Sequence, residues 1–149
     1  MEGLPLLDVE GVLGPESSRS QLPFAFDLGA GAEELEIEFS FSPAGEGDPA
    51  RARELALAVA PRYGLGAAEI EERAGERLNN LLTLSLDDPR GFRGCGHRHL
   101  ARQLVTLGRG AATRGFVAGE LPAGRWTVTV SAHEVVTTRC EYRLRVRAR

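Results

Sequence analysis

Alternation of apolar and polar residues with a period of two constrains the fold of this chain most strongly. From Leu35 to Phe41, every second residue is Leu, Ile or Phe, and the residues between them are Glu or Ser. Successive side chains of a β-strand point to opposite faces of the sheet, so the pattern predicts a strand with one buried face and one solvated face. The same alternation recurs in residues 22–28, 82–86, 126–132 and 140–148.

Turns rich in Gly, Pro and Asp separate these segments, for example Gly29–Ala32 and Asp87–Gly91. Two further short strands are expected between Phe92 and Leu107, which brings the total to about eight strands at short spacing. This arrangement predicts a mainly β fold, an antiparallel β-sandwich of the jelly-roll kind.

Residues 48–79 are different in character, being rich in Ala, Glu, Arg and Leu. Asp48 and Pro49 have the residue types of an N-cap and a first helical position, and they predict a helix that ends before Pro61. A second helix is expected over residues 67–78. This helical pair is interpreted as a layer over a sheet edge, with a lid or an interaction arm as alternatives.

The chain is predicted to form one domain. Its 149 residues are 42% hydrophobic and 26% charged, which is ordinary for a globular domain that needs neither a disulfide nor a metal for stability. Residues 1–21 show no sustained period and are predicted to be an N-terminal arm. Residues 22–149 are predicted to be a single β-sandwich domain.

The charge balance bears on the function class. Acidic residues outnumber basic ones by 21 to 18, and every basic residue is an arginine, as in proteins of GC-rich bacterial genomes. Nucleic-acid binding needs a broad basic surface, so neither DNA nor RNA is an expected partner.

The compartment is expected to be the cytoplasm. Acidic residues near the N-terminus are atypical of a signal peptide, and no segment approaches the ~20 apolar residues of a membrane-spanning helix. Cys95 and Cys140 are accordingly expected to be two buried thiols, the alternatives being a disulfide or a pair of metal ligands.

The segment 94–99 carries the most suggestive chemistry. On a strand, Cys95, His97 and His99 lie on one face, about 6.6 Å apart at each step of two residues. Two histidines so placed can ligate Zn²⁺ or Fe²⁺, with further ligands from neighbouring strands. The alternative is that these histidines face solvent or make hydrogen bonds in a polar groove. The further ligands would come from His133, Glu134 or Cys140.

A ligand groove, if present, is expected beside His97, His99, His133 and Trp126, where polar side chains and a large aromatic ring converge. No nucleophile with a paired base is found, so no catalytic residue is assigned and no cofactor is expected beyond a metal on the histidines.

The spacing of Gly91, His97, His99 and Gly110 is similar to the first motif of the cupins, a family of metal-binding β-barrels. Gln103 stands where that motif has a metal-binding Glu. The cupin resemblance implies a metal-dependent enzyme that uses His97, His99 and His133.

A longer resemblance covers about residues 22–148. The runs Asn80–Gly94, Thr113–Val128 and Cys140–Tyr142 occur in the same order in the β-sandwich domain that precedes the catalytic domain of CehA/McbA-like PHP-domain metallohydrolases. This resemblance implies a non-catalytic accessory domain. Such a module is expected to bind either a small ligand or a protein partner, for example a separately encoded PHP-type hydrolase.

A third hypothesis is a self-associating structural protein. Arg143, Arg145 and Arg147 line one face of the last strand, and three glutamates at 34, 36 and 38 line a face of another. These charges would pair either across an interface between copies or between neighbouring strands of one sheet, and the pairing within one sheet is the preferred interpretation.

Overall fold

The protein is mainly β, with antiparallel sheets and one short helix among the residues that are described. The computed structural model describes residues 3–59, 64, 66, 78–96 and 100–149. No helix in these segments is long and apolar enough to cross a membrane. The strands are β1 Leu4–Leu13, β2 Ser20–Leu28, β3 Glu34–Ser42, β4 Gly45–Glu46, β5 Leu78–Asn79, β6 Leu81–Asp88, β7 Gly91–Cys95, β8 Arg102–Gly108, β9 Gly124–Glu134 and β10 Cys140–Ala148; the helix is α1 Pro49–Val59, and a 3₁₀ turn covers Pro15–Ser17.

Eight of the strands form two four-stranded sheets. Sheet A has the order β1-β10-β3-β8, sheet B has the order β2-β9-β6-β7, and β4 and β5 form a separate short pair. All pairings between neighbours are antiparallel. The long alternating segments of the sequence therefore became strands as predicted, and so did the two short segments between Phe92 and Leu107.

The apolar faces of both sheets contribute to one hydrophobic core. Leu35, Ile37 and Phe39 of β3 are at most 1% exposed, and the glutamates between them lie on the outer face. Trp126 of β9 is fully buried, stacks on Phe26 with ring centroids 6.2 Å apart, and donates its indole N–H to the Pro122 carbonyl oxygen at 2.9 Å. Burial of this large side chain adds a large apolar area to the core.

The prediction of an N-terminal arm over residues 1–21 is wrong for residues 4–13, which form strand β1. Residues 4–13 pair with β10 along the edge of sheet A. The alternation is present, with Leu7, Val9 and Leu13 turned toward the core, but Gly11 interrupts it at an inward position. Gly11 lies directly against the Tyr142 ring, which leaves no space for a Cβ atom. The contact with Tyr142 requires a glycine at this inward position, and the glycine interrupts the apolar period by which the strand would have been predicted.

The helical pair is shown only in its first member. Helix α1 spans Pro49–Val59, close to the predicted bounds, and Asp48 accepts a hydrogen bond from the Ala50 amide as its N-terminal partner. The second helix, predicted over residues 67–78, lies outside the described residues apart from Leu78, which begins β5.

Candidate functional site

Two of the predicted ligand residues lie on opposite faces of one strand. Trp126 points into the core, whereas His133 is exposed on the outer face of sheet B. The His133 Nε2 atom is 2.7 Å from the Thr83 hydroxyl on β6. The structure therefore does not bring these two side chains together, and Trp126 lines no open groove.

The predicted metal residues are only partly described. His97 and His99 lie outside the described residues. Cys95 ends β7 and is partly exposed. The described segments contain no group of three or more His, Cys, Asp or Glu side chains arranged to hold a metal ion. A metal site that uses His97 and His99 stays a prediction.

The two cysteines do not form a disulfide with each other. Cys140 is completely buried on β10, and this burial raises the pKa of its thiol. The prediction of a buried thiol is confirmed for Cys140, whereas Cys95 is only half-buried.

Sequence reasoning missed a buried ionic cluster centred on Arg93. Its guanidinium donates to the Asp88 carboxylate at 2.9 Å and to the Val117 carbonyl oxygen at 2.9 and 3.0 Å. A further hydrogen bond reaches the Glu120 carbonyl oxygen, and the guanidinium lies 5.4 Å from the centroid of the Trp126 ring. The cluster fixes the β6–β7 hairpin to the segment that precedes β9.

The ionisation of Asp88 reflects this environment. Burial alone would raise the pKa of the carboxyl group, but hydrogen bonds from Arg93 and from the amides of Arg90 and Gly91 outweigh it, so the pKa lies below its ordinary value of 3.8. Asp88 is therefore charged and structural at neutral pH. The sequence predicted a turn at Asp87–Gly91, but no periodicity distinguished the buried Arg93 from the exposed Arg90.

On the outer face of sheet A, arginines of β10 form ion pairs with acidic side chains of the neighbouring strands. Arg143 of β10 binds both oxygens of Asp8 on β1 at 3.0 and 2.9 Å, and Arg145 binds Glu38 on β3. The hydrogen bond from Arg143 holds the pKa of Asp8 below its ordinary value. The preferred interpretation of the arginine and glutamate stripes, pairing between neighbouring strands, is confirmed for Arg145 and Glu38.

A groove of about 870 Å³ crosses one end of this charged face. Arg143 and Arg139 line it, but their guanidinium groups are already bound to Asp8 and Glu141. Arg102 of β8 also lines the groove, and it forms no ion pair with any residue in the described ranges. Further lining comes from Glu10, Gly11, Val12, Ser40, Phe41, Ser42, Ala44, Ala101 and Tyr142.

No protein-family model and no curated protein matches the chain. A protein of Sulfurospirillum deleyianum with a crystal structure is 8% identical; the alignment covers 93% of this chain and 96% of that chain, with a TM-score of 0.34. The CspB protease of Clostridium perfringens is 12% identical, with 95% of this chain and 22% of the protease chain covered, at a TM-score of 0.27. These scores bear on neither family nor function, so the resemblance to PHP-hydrolase sandwich domains stays a prediction.

The groove on sheet A is thus a candidate site in the described part of the chain. Its shape is an open trough, and its lining combines hydroxyl, carboxylate and guanidinium groups. Such a surface suits a polar or acidic group of a ligand, because an arginine such as Arg102 can donate from two guanidinium nitrogens to one carboxylate.

Proposed function

We infer that the protein is a non-catalytic accessory module, a jelly-roll-like β-sandwich that binds a protein partner. The strand orders of sheets A and B support this architecture, because eight strands form two four-stranded antiparallel sheets and the chain crosses repeatedly from one sheet to the other, as in double-sheet jelly rolls. The proposed location is the cytoplasm, and the partner we propose is a separately encoded PHP-type metal-dependent hydrolase.

The observation that carries the binding role is the groove on sheet A with Arg102 on its wall. Arg139 and Arg143 also line this groove. They form ion pairs with Glu141 and Asp8, so their charges are compensated within the chain. Arg102 is exposed, and no carboxylate of the described residues pairs with its charge. A rim charge of this kind contributes to the rate and specificity of association.

The buried polar side chains form hydrogen bonds that hold strands and loops together, which supports a structural role for them. Asn80, which is fully buried, bonds to the backbone of 136–137 and to the Pro43 carbonyl oxygen. Glu134 accepts a hydrogen bond from the Ser18 hydroxyl, and Ser18 in turn accepts one from the Val135 amide. These groups tie strands and loops together, as a binding scaffold requires.

Binding can be tested with the PHP-type hydrolase of the same source. The two purified proteins are mixed, and the mass of the complex is measured by size-exclusion chromatography with light scattering, and the affinity by calorimetry. We expect a complex that Arg102→Glu weakens about tenfold. Arg125→Glu is the matched control, since Arg125 is an exposed arginine at the start of β9 in the other sheet. Separate elution of the two wild-type proteins would contradict the proposed partner.

A further inference from the structure

The edge strand β8 presents unpaired backbone groups. The Phe41 amide donates to the Ala101 carbonyl oxygen at 2.9 Å. The backbone groups of Ala101, just before β8, therefore point toward β3. In an antiparallel ladder alternate residues bond to the same neighbour, so the N–H and C=O groups of Arg102 and Leu104 point away from β3. Within the described segments, no backbone group pairs with them.

The second half of the same edge is covered. The Thr113 amide donates to the Thr106 carbonyl oxygen at 2.9 Å, and the Gly108 amide donates to the Ala111 carbonyl oxygen at 2.8 Å. The return of the chain through residues 111–113 therefore acts as a short additional strand. The open stretch is limited to Arg102–Leu104.

The other three outer strands are protected against pairing. β1 contains Pro5 with a register shift beside it and places Asp8 and Glu10 on its exposed face, and β2 contains Pro23 in its interior. β7 is bonded on its outer side to residues 115–117. Folded proteins commonly protect sheet edges with proline, charge, bulges or covering segments. The start of β8 carries one charge, that of Arg102, but in the described part of the chain it has no proline, bulge or covering segment.

The surroundings of this edge define the chemistry of an occupant. Leu100 and Leu104 are 54% and 56% exposed, which is high for leucine. They line a cavity of about 300 Å³ together with Phe116, Arg102 and Arg114. Neither arginine forms an ion pair among the described residues. Apolar contacts and two arginines whose charges no described residue compensates favour a segment that alternates apolar and acidic side chains.

We propose that the open edge of β8 at Arg102–Leu104 is a docking site, at which an extended acidic segment of a protein partner adds a strand to sheet A. Backbone hydrogen bonds to Arg102 and Leu104 provide affinity, and the flanking leucines and arginines provide specificity. The site rests on the proposed binding function and names the part of a partner that it recognises. Arg102 lies both on this edge and on the groove of sheet A, so a partner can contact the two together.

The probe for this site is a short peptide that alternates glutamate with valine, and its counterpart alternates lysine with valine. Nuclear magnetic resonance on the full ¹⁵N-labelled chain follows amide shifts and hydrogen exchange. We expect the glutamate peptide to shift the Arg102 and Leu104 amides and to slow their exchange at least about tenfold. Shifts confined to another strand, or equal binding of both peptides, would overturn the proposal.

Two substitutions separate the backbone from the charge. Leu104→Pro removes an edge N–H without removing a bond to β3, and we expect it to weaken peptide binding about tenfold, whereas Leu104→Thr keeps the donor and most of the affinity. Arg102→Glu leaves the backbone intact and is expected to reverse the preference toward the lysine peptide. This second substitution keeps the test valid if Leu104→Pro fails to fold. An unchanged preference in Arg102→Glu would overturn the acidic specificity.

The outcome also distinguishes this site from the proposed partner. If Leu104→Pro leaves the affinity for the hydrolase unchanged, the proposed binding function stands and the proposed docking site at the β8 edge is overturned. Peptide binding at β8 without any hydrolase complex supports the edge site and removes that partner. A homodimer abolished by Leu104→Pro would show that a second copy occupies the edge, which overturns a separate partner.

Discussion

Arg93 and Asp88 form an ion pair at 2.9 Å in which the side chains are only 10% and 6% exposed. A buried pair of this kind is tolerated when both partners have their remaining hydrogen bonds satisfied. Arg93 meets this condition through the carbonyl oxygens of Val117 and Glu120, and Asp88 meets it through two backbone amides of its own turn. The pair joins the β6–β7 hairpin to the segment that leads into the strand of Trp126.

Removal of one partner should therefore be costly. Arg93→Met preserves much of the side-chain length but leaves the Asp88 carboxylate buried without its counter-charge, and we expect the free energy of unfolding to fall by about 3–5 kcal/mol. Urea denaturation followed by circular dichroism measures it. Arg90→Met is the control, because Arg90 and Glu120 are 68% and 62% exposed, and its effect should be below about 1 kcal/mol. Equal losses in the two variants would contradict a special role for the buried pair.

Asp88 should also contribute to the pH dependence of stability. Its pKa in the folded protein lies below the ordinary value of 3.8, so its contribution is complete above that value and is lost as the pH falls through the folded pKa. We expect the free energy of unfolding of the wild type to decrease more steeply than that of Asp88→Asn as the pH falls below about 4. Denaturation curves at several pH values measure the two slopes. Parallel slopes would contradict the assignment.

Asn80 should be far more important than its neighbour Asn79. The Asn80 side chain donates to Pro43 and Thr137 and accepts from the amides of Val136 and Thr137, all without exposure to solvent. Asn80→Ala leaves these groups without partners, so we expect a loss of at least about 2 kcal/mol. Asn79 is exposed on β5, and Asn79→Ala should change stability by less than about 0.5 kcal/mol. Thermal unfolding of both variants tests this difference.

The long strands other than β1 were predictable because each alternates over several residues with one buried face. From Leu35 to Phe41 the period of two is unbroken, and the structure buries the residues that it indicates. β1 was not predictable in this way, because Gly11 occupies an inward position against Tyr142. Glycine carries no hydrophobic signal, so tertiary packing determined that strand.

The candidate sites depend on relations that a period does not encode. The separation of His133 from Trp126 is an exception, because the two residues are an odd number of positions apart and the period of two already places them on opposite faces of β9. The edge at Arg102–Leu104 is open because β8 is the last strand of sheet A. The order of the strands in a sheet cannot be read from the period. The charge pairing of Arg145 was predictable, because both stripes alternate along strands that share a sheet.

That pairing gives a final prediction. Arg145 and Glu38 lie opposite each other on β10 and β3 and are 34% and 38% exposed, so their attraction is partly screened by water. Arg145→Glu places like charges opposite each other, and we expect it to lower the free energy of unfolding by about 1 kcal/mol without changing the oligomeric state.

Combining Arg145→Glu with Glu38→Arg restores opposite charges across the two strands and should recover part of the stability. Added salt should reduce the difference between the single and double variants, because ions screen exposed charges. Denaturation curves for the four proteins form a double-mutant cycle, and light scattering gives their masses. A mass that halves in Arg145→Glu would mean instead that the arginine stripe joins two copies of the chain.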